Sequence, residues 1–269
     1  MKKFISFLLG LCIIQLAFAQ APKHATYKMA ENITYTSNTD DYSLERCKLD
    51  VYYPEGVKDA PVMVWFHGGG LVGGNRYVPG ELKEKGIIVV SVNYRFMTKV
   101  HISDCIDDAA AAVAWTFANI GQFGGSREKI YVCGHSAGGY LTSMIGLDKK
   151  WLAKYGVDAD DIAALMPLSG QAITHYEYRK TQGVGPLQPT IDEFAPMTYM
   201  RPDCPPLFIM SGDRELEMNG RYEEQAFFWR LMKLMGHKEV YLYEFQGYDH
   251  GGMPYAAFPV LVKYIQKRK

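Results

Sequence analysis

Short apolar runs recur along the chain, separated by stretches with helical spacing, and this alternation predicts most of the fold. Residues 62–66, 87–92, 130–133, 162–168 and 207–210 are compact apolar segments. Their length and β-prone composition predict strands buried on both faces, as in a parallel sheet. Residues 33–35 and 47–53 alternate apolar with polar positions, which predicts half-buried antiparallel strands. Residues 240–245 form a last short strand that is not fully buried. Between these runs, Ile106, Ala109, Val113, Phe117 and Ile120 fall three or four apart, and Gly121 can end that helix. Residues 139–147 and 222–235 predict two more helices, the second stopped by Gly236. Eight strands with crossover helices predict an α/β fold with a doubly wound, mostly parallel sheet, whose ligands sit at the carboxyl ends of the strands.

No repeat or linker interrupts the pattern, and 269 residues with 48 % hydrophobic content can fill one core. The first residues stand apart. Met1-Lys2-Lys3, an apolar stretch over 4–18 and Ala17-Phe18-Ala19 predict a secretory signal peptide over 1–19, cleaved after about Ala19. The expected mature domain is 20–269, secreted or periplasmic, with no later segment apolar enough to cross a bilayer. Losing Lys2 and Lys3 leaves 27 basic against 29 acidic side chains, a net charge near −2. That balance gives no pull toward nucleic acid or an anionic membrane. Cys47, Cys105, Cys133 and Cys204 fit no zinc spacing, and Cys133 is expected to be a buried free thiol.

The chemistry is carried by two glycine-rich turns. Gly134-His135-Ser136-Ala137-Gly138 joins the strand-like run 129–133 to the helix-like run 139–147. G-x-S-x-G between a strand and a helix is a nucleophile elbow, a sharp turn that lifts the Ser136 hydroxyl clear of the sheet. Upstream, His67-Gly68-Gly69-Gly70 follows another strand-like run. Acyl transfer needs preset N–H donors for an oxyanion, and in this arrangement Gly69, Gly70 and Ala137 supply them.

These motifs, together with Val92-Asn93-Tyr94-Arg95 and Asp249-His250-Gly251, give the chain a resemblance. It resembles the α/β-hydrolase fold, and within it the carboxylesterases related to hormone-sensitive lipase, from about residue 44 to the C-terminus. The resemblance implies that Asn93-Tyr94-Arg95 buttresses the oxyanion loop. It also implies that residues 171–203, rich in Pro, Gly, Tyr and Thr, are a lid inserted between strands six and seven.

Ser136 needs a histidine base. Of the seven histidines, His250 alone follows the last strand in a glycine-bearing loop, where the family pattern puts the base. The acid that orients it should follow strand seven. Counting from Pro205-Pro206, the family's aspartate place holds Glu215, while Asp213 has the usual residue type two positions earlier. Glu217 ranks third. Asp104, Asp107 and Asp108 are explained by a helix start.

The implied activity is a serine carboxylesterase acting on a small-molecule or carbohydrate ester, with short acyl groups on sugars as the expected substrates. A peptidase of the prolyl-oligopeptidase type uses the same triad but couples it to a propeller domain, for which this chain has no room. A non-catalytic binding module on the same fold is the third reading. No metal cluster, P-loop or dinucleotide fingerprint occurs in the sequence, so no cofactor is implied; oligomeric state is not legible.

Overall fold

The computed structural model describes residues 25–268, so the expected signal peptide lies outside the described residues. Eight strands form one sheet in the order β1-β2-β4-β3-β5-β6-β7-β8. They are β1 (Tyr27–Thr34), β2 (Lys48–Pro54), β3 (Ala60–Phe66), β4 (Ile88–Val92), β5 (Gly125–His135), β6 (Ala164–Leu168), β7 (Leu207–Gly212) and β8 (Val240–Phe245). β2 runs antiparallel to both its neighbours, and β4, β3 and β5 to β8 are parallel.

The helices are α1 (Asp41–Arg46), α2 (Ile102–Asn119), α3 (Ala137–Leu147), α4 (Lys150–Ala153), α5 (Tyr176–Thr181), α6 (Arg221–Leu234) and α7 (Met253–Lys267). They cover both faces of the sheet, and β3 shows why the central strands read as unbroken apolar runs. Val62, Val64 and Phe66 pack with α2 and α3 on one face, whereas Met63 and Trp65 pack with α7 on the other. Neither face meets water, so period-two alternation has no cause to appear. At the far edge only Val240 of β8 is buried, as its mixed composition predicts.

Three local features differ from expectation. α1 is absent from the periodicity because six residues give no apolar stripe; Asp40 caps it by accepting from the Ser43 amide. β1 starts at Tyr27, ahead of the expected 33–35, with a register shift between Ala30 and Ile33. β5 starts at Gly125, in a polar stretch that the apolar pattern does not mark. All four described cysteines are buried and unbonded, including Cys133.

Candidate active site

Ser136 sits at the carboxyl end of the central strand β5, just before the first residue of α3. Its backbone has φ 55° and ψ −116°, a region costly for a residue with a Cβ. The surroundings hold it there. The Ser136 amide donates to the Leu168 carbonyl at 2.8 Å, tying the turn to β6. A Cβ on Gly138 would lie 2.8 Å from the His67 carbonyl oxygen, and one on Gly134 would lie 2.9 Å from the Gly138 Cα. The elbow therefore closes only with glycine at both places.

His250, in the loop between β8 and α7, faces the serine: its Nε2 lies 2.9 Å from Ser136 Oγ. Its Nδ1 lies 2.8 Å from Oε2 of Glu217. A carboxylate accepts, so Nδ1 carries the proton and Nε2 is left to receive the serine's. The carboxylate is thus neither Glu215 nor Asp213, and the reason is local. After β7 the chain closes one helical turn, with the Glu217 amide donating to the Asp213 carbonyl at 2.9 Å. Residues four apart share a side of such a turn, and the exposed Glu215 falls on the other. Asp213 is engaged elsewhere, accepting from the amides of Glu215 at 3.0 Å and Gly247 at 2.8 Å. It pins the loop that carries His250 without touching the imidazole.

The Glu217 side chain is 1 % exposed. Burial alone would raise its pKa, but hydrogen bonds from His250, Ser169 and the Gly212 amide, and the charge of His250, hold it at about 2. Ser169 escaped the sequence reading. It follows β6 with φ 45°, and only this left-handed turn aims its hydroxyl at Glu217. His135 was passed over as part of the elbow, yet its Nε2 lies 2.8 Å from the His250 carbonyl. A carbonyl cannot donate, so that nitrogen carries a proton and fixes the height of the His250 loop.

The loop at 67–70 passes directly beside the serine: a Cβ on Gly68 would lie 3.4 Å from Ser136 Cβ. Gly69 has φ 112°, and its carbonyl accepts from the amides of Val72 and Gly73 at 3.0 Å each. A Cβ there would strike the Gly73 backbone. Ala137 opens α3, where a helix amide has no partner within the helix. Tyr94 braces the loop, donating to the His67 carbonyl at 2.9 Å and stacking on its ring at 4.5 Å. Arg95 in turn is clamped by Asp108, with the closest contact at 2.7 Å. Asp108 is therefore more than a helix-start acid, whereas Asp104 does cap α2 by accepting from the His101 amide at 3.1 Å.

Residues 171–203 form an ordered segment with its own bonds. Thr174 donates to Asp192 at 2.7 Å, and Tyr140 of α3 reaches in to the Phe194 carbonyl at 2.7 Å. Tyr176 extends over the 67–70 loop, its hydroxyl 3.2 Å from where a Gly70 Cβ would stand. Beneath the segment, against the start of α6, lies a cavity of about 340 Å³.

Three buried histidines make stability depend on pH. Burial pushes His67 down to about 4 from an ordinary 6.5, lowers His135 to about 4, and holds His175 well below the ordinary value. Between these pH values the unfolded chain binds more protons than the folded one, so stability is complete above about 6.5 and is lost as pH falls toward 4. For His67 alone, 2 % exposed, the loss approaches roughly 3 kcal/mol. Glu224, its buried carboxyl pushed up to about 7, acts in the opposite sense between about 4.5 and 7, one group against three. Calorimetry at pH 7.5 and 5 should show Tm several degrees lower at pH 5; an unchanged or higher Tm would contradict this.

The protein-family description BD-FAE matches residues 49–161. Esterase LipC of Mycobacterium tuberculosis is 27 % identical over 230 residues, which cover 76 % of this chain and 56 % of the relative. The chain spans about half the length of the curated relatives it matches. Among solved structures, a truncated carbohydrate esterase from gut microbiota superposes with a TM-score of 0.74 at 15 % identity, covering 92 % of this chain and 99 % of that one. Thermogutta terrifontis esterase 2, in a form phosphoramylated by tabun, gives a TM-score of 0.68 at 20 % identity, covering 90 % and 94 %. With this sheet and these solved neighbours, the chain has the α/β-hydrolase fold, and over residues 49–161 it is similar to the BD-FAE family.

Proposed function

We propose that this chain is a carboxylesterase that works through an acyl-enzyme, acts outside the cytoplasm, and removes short acyl groups, acetyl among them, from sugars or polysaccharides. The observation that carries the reading is the continuous chain of hydrogen bonds from Ser136 through His250 to Glu217, at 2.9 and 2.8 Å. Ser136 Oγ attacks the ester carbonyl carbon while its proton passes to His250 Nε2. The carbonyl oxygen becomes an oxyanion and accepts from the amides of Gly69, Gly70 and Ala137. Collapse breaks the bond to the alcohol oxygen, which takes the proton from Nε2 as it leaves. Water then repeats the sequence on the acyl-serine and frees the acid. Glu217, held at about 2, stays ionised throughout and stabilises the imidazolium.

The names of the relatives support an ester substrate, and one solved neighbour is described as a carbohydrate esterase. Export rests on the leader-like start of the sequence. The test is a screen of purified protein against p-nitrophenyl acetate, butyrate and octanoate, together with acetylated xylo-oligosaccharides. Turnover should be fastest with acetate or butyrate, and acetate should be released from the sugar. No ester hydrolysis would overturn the reading; hydrolysis of the octanoate alone would overturn its short-chain part.

A further inference from the structure

The cavity between the 171–203 segment and the start of α6 is lined by two guanidinium groups whose charge the neighbouring protein only partly balances. Arg179, on α5, is 3 % exposed; Arg221, the first residue of α6, is 4 % exposed. Arg221 pairs through Nε with Glu224 at 2.9 Å and donates to the Ser169 carbonyl. Arg179 donates to the Gln188 carbonyl, forms no ion pair among the described residues, and leaves its buried Nε without a partner. Leaving such a charged donor buried and unpaired is costly unless something else fills the place. The opening turn of α6 faces the same space through Asn219 and Gly220, with no side chain capping its amides.

Two guanidinium groups face one largely buried carboxylate in the lining, Glu224, whose side chain is 11 % exposed and pairs with Arg221; burial pushes its pKa up to about 7. Burial and the Arg221 charge also pull the Arg179 guanidinium below its usual value, against the pull of Glu224. Glu223 lies on the exposed rim with the apolar Leu187 and Phe227.

The cavity also touches the machinery. Tyr176 lines it while reaching over Gly70, and Met218 lines it directly after Glu217. A volume of about 340 Å³ suits a group the size of a small organic acid.

We infer that this cavity is a subsite for a carboxylate carried by the ester substrate, gripped by Arg179 and Arg221. The inference rests on the esterase reading above and names a substrate class for it. A planar carboxylate matches the forked guanidinium donors, and fork pairing gives both strength and orientation.

The test compares matched esters, each rate divided by that ester's rate of alkaline hydrolysis. One pair is p-nitrophenyl hydrogen succinate against p-nitrophenyl butyrate, with the charge on the acyl side. The other is 4-acetoxybenzoate against its methyl ester, with the charge on the leaving side. In at least one pair the parent should favour the carboxylate by tenfold or more in kcat/KM, mostly through KM. Arg179→Gln should bring that ratio close to one, and Arg179→Lys should keep part of it. A ratio within one preparation does not depend on how much of a variant is folded. A parent without preference in either pair, or a preference unchanged in Arg179→Gln, would overturn the subsite. If the neutral esters are still hydrolysed, the esterase reading survives; if no ester is turned over, both fall.

Discussion

Replacing Ser136 with alanine should abolish covalent catalysis and leave only what an oxyanion hole and binding achieve alone, on the order of 10³- to 10⁴-fold over water. The expectation follows from position. Ser136 Oγ is the one group on the described path that both lies 2.9 Å from His250 Nε2 and stands beside the Gly68-Gly69-Gly70 turn. Fold should survive, because the elbow is shaped by Gly134 and Gly138 rather than by the hydroxyl. An alanine even keeps the Cβ that the strained turn already accommodates. Steady-state rates on p-nitrophenyl acetate, beside a thermal melt, check both halves. Activity within tenfold of the parent would remove Ser136 from the mechanism.

The second large effect is expected at Glu217. In Glu217→Gln an amide replaces the carboxylate opposite Nδ1, and its NH₂ can press the imidazole into the tautomer with the proton on Nε2. That nitrogen then cannot receive the serine proton, a change that costs about 10⁴ in turnover where it has been made in a serine protease. Glu215→Gln should change kcat little, since the side chain is exposed and off the path. Asp213→Asn should fall between them. It loosens the tie to the Gly247 amide, so its effect should appear in Tm and modestly in kcat. If Glu215→Gln or Asp213→Asn proved the most damaging to kcat, the geometry given for the acid would be wrong.

The contrast among these three acids shows where sequence stops being legible. Strands such as β3 announce themselves as unbroken apolar runs because both faces are buried, and helices such as α2 because their burial is periodic. The two glycine turns are equally plain, since backbone contacts there exclude any Cβ. The acid is different. Its place depends on a single turn closing between Asp213 and Glu217, and counting residues from Pro205 does not reveal that closure. Ser169 escaped for a related reason, its role depending on a left-handed backbone that no residue type dictates. Nor could the pairing of Arg179 with Arg221 be read in advance, because they meet only when the 171–203 segment folds over α6.

The central claim is that Ser136 is the nucleophile of a relay through His250 to Glu217. Peptide mapping by mass spectrometry after treatment with a serine-directed p-nitrophenyl phosphonate tests it most directly. The relay predicts one adduct, on the peptide that contains Ser136, formed much more slowly in His250→Ala and in Glu217→Gln. An adduct on another residue, or labelling of Ser136 at the parental rate in both variants, would contradict it.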